Sequence, residues 1–136
     1  MNIDTIKSLD FFSCFNDEKL AKIAALAYSQ PVIEGEILAV KGSFSKTLYL
    51  ILSGNFMISS KEDRAITLHK KGDLMECSAF LSPFTCRGNI VSLTKGEVIA
   101  ISGKKFLALI ESDSKLLEKI LQKIKRIIND RKALYR

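Results

Sequence analysis

The sequence predicts a single, mainly β domain with helices at both ends. Short segments rich in Val, Ile, Leu and Tyr alternate with glycine turns in the middle of the chain, and helical apolar spacing occupies both ends. A chain of 136 residues can bury one core without disulfides or a structural metal. We therefore expect N-terminal helices over residues 1–30, an antiparallel barrel or sandwich over 31–102, and C-terminal helices over 103–136.

The N-terminal segment combines helical spacing with a compact group of phenylalanines. Its apolar residues are Ile3, Ile6, Leu9, Phe11, Phe12 and Phe15. Asn16 then offers a helix N-cap, with Asp17 and Glu18 in the first turn, where negative charge suits the helix dipole. This helix is expected to end near Ser29, because Pro31 disfavours helical geometry in the residue before it.

The middle of the chain contains six segments with the composition and partial alternation of strands. They are 32–40, 47–52, 55–59, 65–69, 89–93 and 97–101. The turn residues between them include Gly35, Gly42, Gly54, Gly72, Gly96 and the charged turn 61–63. Many short strands separated by turns favour an antiparallel barrel or sandwich.

The last third of the sequence predicts a short helix after Gly103 and a longer one capped by Ser112 or Asp113. The longer helix carries an apolar stripe made of Leu117, Ile120, Leu121, Ile124, Ile127, Ile128 and Leu134. The stripe is longer than a small barrel usually covers, so we predict a homodimer through this C-terminal helix. Packing of the whole stripe against the barrel is the alternative.

One stretch between predicted strands combines a turn, a carboxylate and a guanidinium. Gly72 begins the stretch 72–81, which is predicted to contain a short apolar helical turn; Glu76 lies within this stretch, and Arg87 follows after a short loop. Backbone N–H groups at a helix start attract anions, and arginine forks onto phosphate or carboxylate. A small anion held there is one interpretation. The other is a solvated or mutually paired Glu76 and Arg87, which contributes only about 0–1 kcal/mol.

The basic residues do not indicate a nucleic-acid-binding protein. The net charge is +6, but the dense cluster lies on the predicted C-terminal helix beside the apolar stripe. It consists of Lys115, Lys119, Lys123, Lys125, Arg126, Arg131, Lys132 and Arg136. A charged outer face of a packed helix accounts for it, so we expect no direct nucleic-acid binding.

The polar residues likewise favour neither a metal site nor an enzyme. Cys14, Cys77 and Cys86 lack C-x-x-C spacing, and His69 is the single histidine, so an ordinary zinc site would need distant acids. We expect buried thiols, with a redox role for Cys77 and Cys86 as the lesser alternative. No nucleophile, base and orienting group occur together, so we expect no catalysis and no cofactor.

The sequence contains no segment that predicts export or membrane insertion. No apolar run approaches the roughly 20 residues of a membrane span, and Asp4 and Asp10 interrupt any signal-like start. A cytoplasmic location without membrane association is the expectation.

Several motifs together resemble a known family. They are Phe15-x-x-x-x-Leu20, Glu34-Gly35-Glu36-Ile37-Leu38, Val40-Lys41-Gly42, the run Leu-Tyr-Leu-Ile-Leu-Ser-Gly-Asn-Phe at 48–56, Gly72-Asp73 and Arg87. In this order they are similar to the cyclic-nucleotide-binding domain of catabolite-activator-type (Crp/Fnr) regulators, protein kinase A regulatory subunits and gated channels. The resemblance implies a double-stranded β-helix, that is, a jelly-roll-like β-roll of eight strands, with a phosphate-binding cassette between two of them.

The resemblance also implies roles for individual residues. By position, Glu76 matches the carboxylate that binds the ribose 2'-hydroxyl, and Arg87 matches the arginine that binds the cyclic phosphate. Cys77 and Ser78 would offer backbone amides to that phosphate, and the C-terminal helix would close on the base. Cyclic AMP and cyclic GMP are the ligands that this implies.

Three positions depart from the family pattern. Met75 replaces a glycine, Gly88 replaces Ser or Thr, and Asn89 replaces Ala. The predicted ligand-binding set is Gly72, Met75, Glu76, Cys77, Ser78, Arg87, Gly88 and Asn89. Two hypotheses follow: a regulatory domain that senses a cyclic nucleotide or similar anion, or the same fold with a filled pocket that serves dimerisation or protein interaction. Catabolite-activator-type regulators continue into a helix-turn-helix domain, and we expect no such DNA-binding domain within these residues.

Overall fold

Two antiparallel sheets form a β-roll between N-terminal and C-terminal helices. The computed structural model describes residues 1–61, 64–76 and 84–134. The helices are α1 (Ile3–Lys7), a 3-10 turn (Asp10–Phe12), α2 (Asp17–Leu26), α3 (Gly103–Glu111) and α4 (Ser114–Asp130). The strands are β1 (Tyr28–Val32), β2 (Ile37–Ala39), β3 (Thr47–Ser53), β4 (Phe56–Lys61), β5 (Arg64–Leu68), β6 (Leu74–Glu76), β7 (Asn89–Ser92) and β8 (Gly96–Ser102). The two four-stranded sheets have the orders β1-β8-β3-β6 and β2-β7-β4-β5. This architecture confirms the predicted mainly β roll with flanking helices.

The second helix begins as its sequence predicts and ends earlier. Asn16 Oδ1 accepts a hydrogen bond from the Lys19 N–H at 2.8 Å, which is the expected N-cap. The predicted end near Ser29 is wrong, because residues 28–32 pair with β8 as strand β1. Pro31 fits within this strand because β1 is the edge of its sheet, where a missing N–H leaves no ladder bond unmade.

The predicted single strand 32–40 is also wrong. Gly35 has a φ of +84°, and its N–H donates to Ser92 O at 2.7 Å. This turn carries the chain from β1 in one sheet to β2 in the other, where β2 pairs with β7. Glycine is the residue that adopts such a φ without strain. The other five predicted strands agree with β3, β4, β5, β7 and β8 to within one or two residues.

The short helical turn predicted within residues 72–81 is wrong for residues 74–76, which form a strand. Residues 74–76 form β6, which pairs with β3 through Leu50 with Leu74 and Tyr49 with Glu76. Three residues are too few to show the alternation that identifies a strand in sequence. Residues 77–81 lie outside the described ranges.

Strands β3 and β8 separate two apolar cores. One core lies between the sheet and the helices and includes Leu48, Ile99, Ile101 and Phe106. The other fills the roll interior; its buried members are Val32, Ala39, Ile51, Phe56, Ile58, Met75, Cys86, Ile90, Val98 and Leu134. Alternate residues of β8 thus face opposite cores, as the two-residue period of a strand requires.

The apolar stripe of α4 is largely covered by the chain itself. The Asp113 side chain caps the helix by accepting from the Leu116 N–H at 3.1 Å. Ile120 and Ile124 are buried in the helix-side core, with Leu117, Ile127 and Ile128 partly buried against it. Most of the stripe therefore packs within the chain, which was the alternative to a dimer interface. The homodimer stays a prediction. Within the ranges that the structure describes, no helix combines the length and apolarity needed to cross a membrane.

Candidate functional site

In the turn before β6 the amides of Gly72 and Asp73 are bonded within the chain, whereas the predicted amides of Cys77 and Ser78 lie outside the described residues. The Gly72 N–H donates to Ile51 O at 2.7 Å, and the Asp73 N–H donates to Lys70 O at 3.1 Å. Gly72 has a φ of +92°, so the glycine serves the turn geometry. The Gly72 amide holds the turn against β3 and the Asp73 amide closes the turn itself, so neither is available to a ligand.

Two side chains from distant parts of the sequence meet in the roll interior. Met75 is only 3% exposed and lies in the interior core with Ile90 and Cys86. After α4 the chain turns back, and Leu134, also 3% exposed, enters the same core. The Ser60 hydroxyl donates to Leu134 O, which fixes the returning chain against β4. Apolar side chains thus occupy space inside the roll.

Gly88 lies against strand β4 at very short range. A Cβ added to this residue would lie 2.7 Å from Ser59 O and 3.4 Å from Ile58 Cγ2. Real Cβ atoms do not approach a backbone oxygen so closely, so a serine or threonine requires the backbone to shift. Glycine at this position therefore removes the hydroxyl of the family's Ser or Thr and also satisfies the close packing against β4.

Asn89 is held by a backbone contact on the neighbouring loop. Its Oδ1 accepts from the Lys41 N–H at 2.8 Å, and Lys41 Nζ donates to Ser60 O at 2.6 Å. Asn89 itself pairs with Ser59 in the sheet. The side-chain oxygen therefore joins the loop after β2 to β7, and its role as a ligand contact stays a prediction.

The two charged residues of the predicted cassette lie at its two ends. Glu76 ends β6, where its backbone pairs with Tyr49. Arg87 is exposed and directly follows the buried Cys86. Cys77 and Ser78 lie outside the described residues, as does the Glu76 side chain. Convergence of Glu76 and Arg87 on one ligand stays a prediction.

A groove opens beside these ends and was not predicted from the sequence. This β2–β3 groove has a volume of about 290 Å³ and is lined by residues 37–40 and 43–47, Tyr49 and Cys86. Tyr49 and Cys86 belong to the roll interior as well, so the groove leads toward it. Ile37 and Phe44 on its wall are 66% and 65% exposed, which makes the entrance apolar.

Tyr49 supplies a neutral hydroxyl to this groove. Burial, followed by electrostatic repulsion from Tyr28, raises the pKa of Tyr49, while a hydrogen bond with the Thr47 side chain opposes the shift. The phenol is therefore protonated at neutral pH and can donate a hydrogen bond.

Ser45 is a second polar group of the groove that sequence analysis missed. The residue is 3% exposed, and within the described ranges its hydroxyl has no hydrogen-bond partner. A buried hydroxyl without a partner is unfavourable by roughly 1–3 kcal/mol, which a bound polar group would relieve. Neither Ser45 nor Tyr49 has a sequence signal of its own, because a serine in a loop and a tyrosine in a strand are common.

The cysteines do not form a metal site in the part of the chain that the structure describes. Cys86 is buried, as predicted for a packed thiol, whereas Cys14 is half-buried and Cys77 is not described. No group of three His, Cys, Asp or Glu side chains converges among these described residues.

Comparisons with known proteins assign this chain to a family. The sequence model of the cyclic nucleotide-binding domain matches residues 30–113. A comparison with curated protein sequences finds no match.

Solved structures share the fold at low sequence identity. A candidate cyclic nucleotide-binding protein from Geobacter metallireducens has a TM-score of 0.85 at 17% identity, covering 96% of this chain and 98% of its own. PKAR CBD2 with bound Sp-2Cl-cAMPS has a TM-score of 0.74 at 21% identity, covering 96% and 88%. The regulatory subunit of a cAMP-independent protein kinase A from Trypanosoma brucei has a TM-score of 0.77 at 18% identity, covering 93% and 44%. At these identities the likeness concerns the fold alone.

The contact at Gly88 generates a stability prediction. Gly88→Ser is expected to lower the free energy of unfolding by about 1–3 kcal/mol, because the new Cβ collides with Ser59 O. Urea denaturation measures the change. Arg87→Ser is the control, since Arg87 is exposed and its change should stay within about 0.5 kcal/mol. Equal stability of Gly88→Ser and the unsubstituted protein would contradict the packing explanation.

Proposed function

The chain belongs to the cyclic-nucleotide-binding domain family, and we propose that it is a regulatory module that binds a cyclic nucleotide or similar small anion. The observation that carries the proposal is the β2–β3 groove, which adjoins both ends of the predicted cassette. Cys86 lines the groove and precedes Arg87, and Tyr49 lines it and pairs with Glu76. A ligand in the groove would therefore be within reach of both charged residues.

The chemistry of the groove suits a phosphate joined to an apolar ring. Lys46 on the groove wall offers positive charge, and the Tyr49 and Ser45 hydroxyls offer hydrogen bonds. Arg87, which follows the lining residue Cys86, adds a second positive charge beside the groove. The exposed apolar wall at Phe44 offers a surface for a base. In this proposal Arg87 binds the cyclic phosphate, Glu76 the ribose, and Cys77 and Ser78 supply amides, with cyclic AMP and cyclic GMP as candidate ligands.

Signalling would pass through the sheet to the C-terminal helices. Strand β3 carries Tyr49 and pairs along its length with β8, which leads directly into α3. The Ser102 hydroxyl caps α3 by accepting from the Lys105 N–H at 3.4 Å. A ligand shifts such an arrangement only through a difference in its affinity for two states. We propose that the two states differ in the position of α4 and of the returning residue Leu134.

A second function has its own support. Met75 and Leu134 occupy the roll interior, and Gly88 leaves no room for the family's hydroxyl side chain. These features favour a filled pocket and a role as a dimerisation or interaction module. The same fold occurs in the cAMP-independent regulatory subunit named above, so the fold alone does not decide between the two.

Further properties belong to the same proposal. We propose that the chain acts by binding and not by catalysis, because its family is a regulatory one. The homodimer would use the side of α4 where Leu121 and Gln122 line a shallow groove. Absence of direct nucleic-acid binding and a cytoplasmic location stay predictions from the sequence.

Ligand binding is tested by thermal melts with cyclic AMP and cyclic GMP. Ligand at about 100 times its Kd should stabilise the protein by ~2.7 kcal/mol and raise Tm by several degrees. Arg87→Ala should abolish the rise, while Lys95→Ala, which removes an exposed charge on the turn before β8, should keep it. A rise that survives Arg87→Ala would mean that the ligand binds elsewhere, and no rise with either nucleotide would favour the filled pocket.

Substitution of Leu134 tests whether this side chain and the ligand compete for the same space inside the roll. Leu134→Ala should destabilise the protein, by about 2–5 kcal/mol for a buried leucine, and tighten nucleotide binding several-fold, because less apolar volume must leave the roll. Calorimetric titration compares it with Lys132→Ala, an exposed neighbour. An unchanged affinity in Leu134→Ala would show that the ligand and Leu134 occupy different space.

The dimer is tested by sedimentation velocity at tens of micromolar protein. A dimer is expected for the unsubstituted chain, and Leu121→Glu should dissociate it by placing a charge on the proposed interface. Asn129→Glu adds the same charge at an exposed position of α4 outside that groove and should stay dimeric. A monomeric unsubstituted chain would contradict the proposal.

A further inference from the structure

A second cavity, separate from the β2–β3 groove, concentrates positive charge. It lies between the turn before β6, the 3-10 turn and α4, with a volume of about 280 Å³. Its basic side chains are Lys70, Lys71, Lys123, Arg126 and Arg131, and we call it the basic cleft. We propose that the basic cleft is a second anion site that binds a compact molecule carrying two or three linked phosphate groups. The proposal does not depend on nucleotide binding in the roll.

The charge of the cleft is not balanced from within. Two carboxylates, Asp10 and Asp73, share it with the five basic residues, which leaves a net charge of +3. Asp10 is already engaged, because Lys123 Nζ lies 3.8 Å from Asp10 Oδ2. Among the described residues, Lys70, Lys71, Arg126 and Arg131 form no ion pair within 4.0 Å. Like charges held together in one concavity repel one another and attract a compensating anion.

The backbone of the cleft walls and one of its lysines, Lys123, are held before any ligand binds. Hydrogen bonds from the Gly72 and Asp73 amides hold the turn that carries Lys70 and Lys71. Lys123 Nζ donates to Ser13 Oγ at 2.8 Å and to Asp10 O, which ties α4 to the 3-10 turn. A preformed arrangement loses less conformational entropy on binding, which strengthens the interaction.

The size of the basic cleft and its apolar lining residues favour linked phosphates over an acidic peptide as the ligand. With a volume of about 280 Å³, the cleft accommodates a compact ligand but only a short stretch of an extended peptide. An extended peptide advances roughly 3.3 Å per residue and so brings only two or three carboxylates into that space, each with a single charge. Linked phosphates carry more charge in the same volume and accept the forked donors of Arg126 and Arg131. Phe11, Leu74 and Ile127 also line the cleft, and their low polarity strengthens the attraction.

Occupation of the cleft would link α4 to the sheet. Lys70 and Lys71 precede β6, whereas Lys123, Arg126 and Arg131 belong to α4 and its C-terminal end. An anion bound by both groups bridges the strand that leads into the cassette and the helix that ends beside Leu134. A phosphorylated metabolite would then stabilise the position of α4 against the turn before β6.

Calorimetric titration with inorganic tripolyphosphate tests the proposal. One equivalent should bind, with affinity that falls as salt is added. The double variant Lys71→Gln with Arg126→Gln should bind about 100-fold more weakly, since each charge-assisted contact is worth about tenfold. Lys115→Gln with Lys125→Gln removes the same charge from exposed α4 positions outside the cleft and should bind within about twofold of the unsubstituted chain. Arg87→Ala should leave binding unchanged, which separates this site from the one in the roll.

Further ligands distinguish the source of the phosphates. Tighter binding of ATP than of tripolyphosphate, lost in the Lys71–Arg126 double variant, would identify a nucleotide, and the reverse order an inorganic or small phosphate. Circular dichroism melts confirm that both double variants fold, as expected for exposed side chains. No binding, equal losses in both double variants, or preference for a hexaglutamate peptide or a DNA duplex would overturn the proposal.

Discussion

The structure depends on the burial of strands β3 and β8 on both of their faces. Leu48, Leu50, Ile99 and Ile101 pack toward the helices, while Ile51 and Val98 pack into the roll. Because the two strands pair over most of their length, neither core can rearrange without the other. The sheet is thus both the wall of the candidate ligand site and the support of α3 and α4.

Features set by local chemistry could be predicted from the sequence. Asn16 caps α2 and Asp113 caps α4 because their side chains reach backbone amides three residues ahead. Five strands were found because β-branched and aromatic residues alternate between glycine turns. Strand β6 was missed because its three residues form a ladder only with a distant partner, and Pro31 was misjudged because its tolerance depends on the edge position of β1.

The residues of the candidate site likewise divide into those that the sequence identifies and those that only tertiary contacts reveal. Glu76 and Arg87 were identified by motif, and the structure leaves their convergence as a prediction. Tyr49, Ser45 and Leu134 became candidates only through tertiary contacts: a groove wall, a buried hydroxyl without a described partner, and an insertion into the interior. For Gly88 the sequence indicates only that the family's hydroxyl is missing. The structure adds the reason: Gly88 lies so close to Ser59 O that a side chain does not fit.

Pro31 in the edge strand β1 has a consequence for the behaviour of the protein at high concentration. Among the described strands none pairs with the outer side of β1, and such edges are templates on which another chain can add. Proline lacks the N–H that an added strand would need, so intermolecular sheet extension is interrupted there. The proline that the sequence presents only as a helix breaker thereby protects the roll against ordered aggregation.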